Sequence, residues 1–321
     1  MTEPTQPEPQ NALTAVMREI QKVYVGSTET IEVLMIALLS GGHVLLEGVP
    51  GIAKTTLVKA FATTLGCDFR RIQFTPDLMP ADITGTNILD LAKNNFVLHK
   101  GPVFGNIVLG DEINRAPAKT QSALLEAMQE GQVTIDGTSV ALPHPFLVLA
   151  TQNPVEHEGV YRLPEAQLDR FLFRLQLGYP SAEEERNLLK TYNQPLPSLV
   201  PVLDTQQIQA LQRQATGIFI EEELLDYIAE LVRFTRAHGS VWLGGSPRAT
   251  LSLMQCSKTR ALLHGRTFVL PEDVGVMAVH LLPHRLLLTP EAELAGVTSE
   301  SIVQDALRSV AHGPIIETTT P

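Results

Sequence analysis

The chain has 321 residues, 44% of them hydrophobic, with a formal net charge of −11 and a pI of about 5.3. That length supports one large or two medium domains with a core of their own, and the acidic balance removes the overall basic footprint of a non-specific nucleic-acid binder, leaving only a local basic stripe open. Cys67 and Cys256 lie far apart in no metal-ligand spacing, as buried thiols of a reducing compartment would; no apolar run approaches the ~20 residues of a membrane helix, and the first ten residues do not resemble a signal peptide, so a cytoplasmic location is expected.

Met1–Gln10, rich in Pro, Glu and Gln, has nothing to bury and is expected to be disordered. Leu13, Val16, Ile20 and Val23 then recur at helical spacing over residues 12–25, and a second apolar helix over 31–39 stops at Gly41-Gly42. Val44–Glu47 reads as a first strand. It feeds Gly48, Val49, Pro50, Gly51, Ile52, Ala53, Lys54, Thr55 and Thr56, a glycine-bearing turn followed at once by a helix start. Backbone N–H groups turned inward at a helix N-terminus make a positive hollow for a phosphate chain. In such a P-loop Lys54 reaches the β and γ phosphates and Thr55 puts its hydroxyl on Mg²⁺. Ala53 stands where the strict pattern has its second glycine, and a methyl there is tolerated if the local φ is negative, a sign the sequence leaves open. The bland alternative is a strand, a turn and a helix with an incidental lysine.

The helix after the turn runs over 55–65 with Leu57, Ala60, Phe61 and Leu65 inward, and a short strand follows at 69–74, the opening of a layered α/β sheet. Residues 75–86 break the pattern, and 88–99 read as a small hairpin about Lys93-Asn94-Asn95, either a surface insertion or a functional element. Residues 106–112 form a buried parallel strand ending in Asp111 and Glu112, at the strand end where open α/β sheets bind ligands. Asp111 would orient Mg²⁺ through its water shell and Glu112 would take a proton from the attacking water. Past Pro117 a helix to about Gln129 turns Leu124, Leu125 and Met128 inward, and Gln132–Ile135 with Thr138–Leu142 alternate about Asp136-Gly137 as a hairpin, inert or facing a central pore. Residues 146–150 form a further strand ending at Thr151-Gln152-Asn153-Pro154, where Asn153 is either a γ-phosphate sensor or a turn former. A short helix over 163–171 and a last strand over 171–177 complete the first domain.

Several of these stretches together resemble the MoxR family of AAA+ ATPases: Gly48 through Thr55, Asp111 through Pro117 with Lys119 through Glu130, Ala150 through Pro154, Leu163 through Phe171, and Leu243 through Thr250. The likeness covers nearly the whole chain, and Ala53 is the family's usual residue. Gly110 stands where many members carry alanine, a change expected to be silent. The resemblance implies a P-loop AAA+ αβα sandwich with a parallel sheet, followed by an all-α lid. It also implies that Asn153 is the sensor-1 residue, Arg170 the arginine finger and Arg248 the sensor-2 arginine, with residues 75–104 the helix-2 insert and 132–143 the pre-sensor-1 hairpin. A guanidinium supplied by a neighbouring subunit suits Arg170, because phosphoryl transfer spreads charge over oxygens that it can stabilise. Arg174 is a weaker candidate for the same role.

The expected organisation is a disordered start (1–10), an ATPase core (11–190), a linker (191–203) containing Gln194-Pro195-Leu196-Pro197, and a helical lid (204–321). Within the lid, residues 221–238 carry Leu224, Leu225, Ile228, Leu231 and Val232 on one stripe, Ser246-Pro247 caps a helix, and Pro271 opens another. Arg248 sits in the first turn of its helix, against the dipole, which favours an anionic partner. His280 and His284 have i, i+4 spacing but Pro283 lies between them, so no metal is assigned. The resemblance implies ATP hydrolysis with ATP and Mg²⁺ at the interfaces of a homo-oligomeric ring, a hexamer, coupled to chaperone-like remodelling of other proteins, often beside a partner with a von Willebrand factor A domain. A nucleic-acid motor and a nucleotide-gated scaffold with little turnover are the competing classes.

Overall fold

The computed structural model describes residues 8–49, 51, 53–91, 94–153, 161 and 163–310. Residues 1–7, Pro50, Ile52, Lys93, Pro154 and the tail 311–321 lie outside the described residues, and with them most of the expected disordered start. The chain divides into two compact units, Met1–Gln212 and Arg213–Pro321.

In the first unit the helices α1 (Pro9–Ile20) and α2 (Thr28–Leu39) precede β1 (Val44–Glu47), which leads through the glycine turn to α3 (Lys54–Thr64) and β2 (Phe69–Gln73). Ser27 caps α2 by accepting from the Glu29 N–H. A five-residue helix, α4 (Pro80–Thr84), stands in the segment whose pattern breaks, started by Pro80 at its first position and by Asp82 accepting from the Met79 N–H. β3 (Gly85–Asp90) and β4 (Asn95–Lys100) pair as an antiparallel hairpin. β5 (Ile107–Asp111), α5 (Ala118–Glu130), the hairpin β6 (Gln132–Ile135) and β7 (Thr138–Ala141), and β8 (Leu147–Gln152) follow. Asp136 and Gly137 both take positive φ, 47° and 80°, the twist a two-residue hairpin requires. Then come α6 (Glu165–Leu168), β9 (Phe173–Gln176), α7 (Ala182–Tyr192) and α8 (Thr205–Thr216). The division between units falls inside α8.

All five long-range strands are parallel, in the order β2-β5-β8-β1-β9. The central strands are continuously apolar because both faces are covered by helices in an αβα sandwich. Leu45, Val108, Val148 and Ala150 meet Leu124, Leu125 and Met128 of α5 on one face, while α3 lies against β2 and β5. A Cβ on Gly110 would stand 3.3 Å from Leu124 Cδ2 and from Phe74 Cε2, so an alanine there asks for a shift of a few tenths of an ångström.

His43, just before β1, is buried and joins this core by its ring: Nδ1 accepts from the Val148 N–H and Nε2 donates to the Met128 carbonyl, each at 3.0 Å. Burial lowers its pKa from 6.5 to about 4. The folded chain therefore resists a proton that the unfolded chain accepts, so stability present above about pH 6.5 should fall by on the order of 3 kcal/mol as pH drops towards 4. Urea unfolding across that window should show the slope in the native chain and lose it in His43→Gln.

The second unit comprises α9 (Glu222–Ala237), β10 (Val241–Leu243), α10 (Pro247–Leu263), α11 (Pro271–Leu281), β11 (Leu287–Leu288), α12 (Pro290–Leu294) and α13 (Ser299–Ser309). It is a helical lid with one small addition, the antiparallel pairing of β10 with β11. The α9 stripe buries Leu224, Ile228, Leu231 and Val232 as expected, with Tyr227 in place of Leu225, which is 38% exposed. Asp273, fully buried at the start of α11, accepts from Arg260 Nη1 at 2.5 Å, from both terminal nitrogens of Arg266 at 2.5 and 2.7 Å, and from the Leu270 N–H at 2.8 Å. Burial opposes its charge, yet the bonds from Arg266, Leu270 and Arg260 win and hold its carboxyl below the usual range. Asp273→Asn leaves two guanidinium groups short of a counter-charge and should cost about 3 to 5 kcal/mol in denaturant unfolding.

Candidate functional site

The turn after β1 gathers the chemistry. Gly51 has φ 87°, which only glycine adopts without strain. Ala53, whose φ the sequence left open, is left-handed at φ 60° and ψ 24°, and its carbonyl accepts from Leu57 N–H to start α3. A single alanine in this region costs about 1 kcal/mol, a strain the surrounding turn and helix hold. Lys54 folds back over the turn and donates from Nζ to the Gly48 carbonyl at 2.6 Å. Burial lowers its pKa, against the opposing pull of Asp111, Glu112 and Glu47, so all three acids lie within electrostatic reach of the ammonium. Thr55 and Thr56 follow, half-buried in the first turn of α3.

Asp111 and Glu112 stand at the end of β5, between β2 and β8. Thr151, buried at the neighbouring end of β8, donates its hydroxyl to Asp111 Oδ1 at 2.6 Å and accepts the Glu112 N–H at 2.9 Å. Asp111 Oδ2 accepts from Arg71 of β2, from Nη2 at 2.5 Å and Nε at 3.2 Å. Glu112 is left-handed at φ 59° and ψ 49°, a strained conformation of the kind that gathers at functional sites. Its Oε2 accepts from Gln73 Nε2 at 2.9 Å and lies 3.3 Å from Arg115 Nε. A third cluster lies at the end of β1. Glu47, buried, accepts from Gln152 Nε2 at 3.2 Å and is paired with Arg174 Nε at 2.8 Å. Arg174 thus has an acid partner within its own chain.

Beside the turn a cleft of about 570 Å³ is lined by Tyr24, Val25, Gly51, Ala53, Tyr179 and Leu188, among others. That volume suits a small-molecule ligand, and Gly51 and Ala53 of the turn are among its lining residues. None of Arg71, Gln73, Thr151, Glu47 or the cleft residues other than Gly51 and Ala53 was singled out from sequence. Asn153 is buried directly after β8, and Arg170 is half-buried after α6. Arg248 is exposed in the first turn of α10, whose cap Ser246 accepts from the Ala249 N–H; it belongs to the second unit. The carboxylate of Asp111 and hydroxyl of Thr55 are hard oxygen donors of the kind Mg²⁺ takes, so the residues present fit that ion beside a phosphate chain.

A family model described as the ATPase family associated with various cellular activities (AAA) matches residues 43–173, and a second, the AAA lid domain, matches residues 233–306. YeaC of Bacillus subtilis, a protein without a described function, is 49% identical over 296 residues, 92% of either chain. Chaperone MoxR1 of Mycobacterium tuberculosis is 46% identical over 302 residues, 91% of this chain and 80% of that one. Protein MoxR of Methylorubrum extorquens is 30% identical over 91% of this chain and 92% of its own. A crystal structure of a protein from Cytophaga hutchinsonii, described as a candidate ATPase, shares the fold at a TM-score of 0.89 with 44% identity, covering 94% of this chain and 95% of that one.

Proposed function

Because the chain belongs to the MoxR family of AAA+ ATPases, we propose that it hydrolyses Mg-ATP at the subunit interfaces of a homo-oligomeric ring, a hexamer, and uses the cycle to remodel or mature partner proteins in the cytoplasm. The observation that carries the chemistry is that Asp111 and Glu112 lie within electrostatic reach of Lys54 at the end of the turn, with a nucleoside-sized cleft beside it. In this reading the turn between Gly48 and Thr56 holds the phosphates, and Lys54 neutralises the β and γ groups. Mg²⁺ supplies charge neutralisation of the phosphate oxygens when bound. Thr55 and Asp111 would hold it, Glu112 would accept the proton of the attacking water, and Asn153 would orient that water. Arg170 would reach a neighbour's nucleotide, and Arg248 would approach from the lid. The family likeness proposes a von Willebrand factor A domain protein as companion, and the chaperone naming of the M. tuberculosis relative supports remodelling over a passive scaffold.

The test joins binding to assembly. Calorimetric titration should show uptake of Mg-ATP by the full chain and a loss of at least about tenfold in affinity for Lys54→Ala, since one charged phosphate contact is removed. ATP turnover per chain should rise with protein concentration, as a site completed in trans requires. Turnover independent of concentration would remove the ring interface from the reading, and DNA or RNA binding with a steep salt dependence would move it to a nucleic-acid motor.

A further inference from the structure

Neighbouring arginines on the edge strand β2 have different partners. Arg70 pairs with Asp68, two residues away, both side chains about half exposed at 57% and 49%. That is an ordinary surface pair, worth little. Arg71 instead spans 40 positions to Asp111, whose side chain is only 14% exposed, and places two N–H groups on its Oδ2. With Thr151 on Oδ1, both carboxylate oxygens are engaged. The same Arg71 Nη2 also donates to Gln73 Oε1 at 2.8 Å, and Gln73 donates onward to Glu112. One guanidinium therefore touches the acid that would face a metal ion and, through one amide, the acid that would activate water.

A guanidinium seated on Oδ2 and a divalent cation on the same carboxylate would stand a few ångströms apart, where like charges repel. Arg71 is 48% exposed and has room to swing into solvent, whereas Asp111 is fixed by its strand and by Thr151. We propose that Arg71 is a resident counter-cation of Asp111, a positioning residue that vacates the carboxylate when the metal–nucleotide complex binds and so sets the metal concentration that nucleotide retention requires. In the nucleotide-free chain it adds to Lys54 and Arg115 a third positive charge beside the two acids. Its departure removes the anchor of Gln73 Oε1, so the amide holding Glu112 is freed by the same event that seats the metal–nucleotide complex.

This inference rests on the reading of the site as a metal–nucleotide site, and its test separates the two. Retention of a fluorescent ATP analogue by the full-length chain is followed while MgCl₂ is titrated in from EDTA. Arg71→Gln should lower the magnesium midpoint about threefold to tenfold, the scale of one charge-assisted, part-exposed pair, with its thermal unfolding midpoint unchanged. Arg71→Lys, which keeps the charge without the paired N–H groups, should fall between, and the gap between Arg71→Gln and wild type should narrow as NaCl is raised. A purely structural arginine would instead raise the midpoint or leave it in place when removed. Either result in Arg71→Gln overturns the proposal. A wild-type chain that retains no nucleotide at any magnesium concentration overturns both the proposal and the reading beneath it.

Discussion

Glu112→Gln should bind Mg-ATP as tightly as the wild-type chain and turn it over at least about a hundredfold more slowly, because a positioned general base contributes roughly 10²- to 10⁴-fold. The amide is nearly the same size as the carboxylate, and its oxygen can still accept from Gln73 Nε2, now 2.9 Å from Glu112 Oε2. The left-handed backbone at this residue and the N–H bond to Thr151 do not depend on the side chain's charge. The substitution therefore removes proton acceptance and leaves the architecture in place. Single-turnover phosphate release, measured beside calorimetric binding, distinguishes the outcomes. Wild-type release rates in Glu112→Gln would take the role of base away from this residue, and lost binding would mean that its charge holds the site together.

The parts of this site that could be read in the sequence are those in which one short stretch carries both pattern and chemistry. Val44–Glu47 was placed to the residue, and the Asp136-Gly137 hairpin to within one, because an apolar run before a glycine turn and an alternation about Asp-Gly are local signals. Asp111 and Glu112 were legible because two acids end an apolar strand. Arg71 and Gln73 were not, since their partners lie 40 and 39 positions away on a strand whose neighbour only the sheet order reveals. The sign of φ at Ala53 was not legible for a related reason. Residue type favours negative φ, but the start of α3 directly after the turn imposes the opposite. Short elements escaped as well: α4 has five residues, and β10 and β11 have three and two, too few for periodicity to register. Cys67, expected to be buried as Cys256 is, is only partly so, yet burial still pushes its thiol up to about 12 and keeps it in the unreactive protonated form.

Arg170→Ala should bind ATP normally and hydrolyse it about a thousandfold more slowly, the low end of what a finger arginine supplies to phosphoryl transfer. Among the described residues its guanidinium has no ion-pair partner of its own, unlike Arg174, which is held by Glu47. A half-buried arginine without an acid partner among the described residues is suited to an anion brought by another chain. A loss of turnover alone would not separate action in trans from damage to the local fold, but mixing two inactive variants does. Arg170→Ala chains keep an intact Glu112, and Glu112→Gln chains keep an intact Arg170. Where the first lends its nucleotide site and the second its arginine, a complete site is rebuilt at their shared boundary. Equimolar mixtures, allowed to exchange subunits, should therefore recover a substantial share of wild-type turnover, and the recovery should vanish on dilution as the assembly comes apart. Mixtures as inactive as their components, under conditions where exchange is demonstrated, would place Arg170 in its own subunit's site and remove the reason for hydrolysis to require a ring.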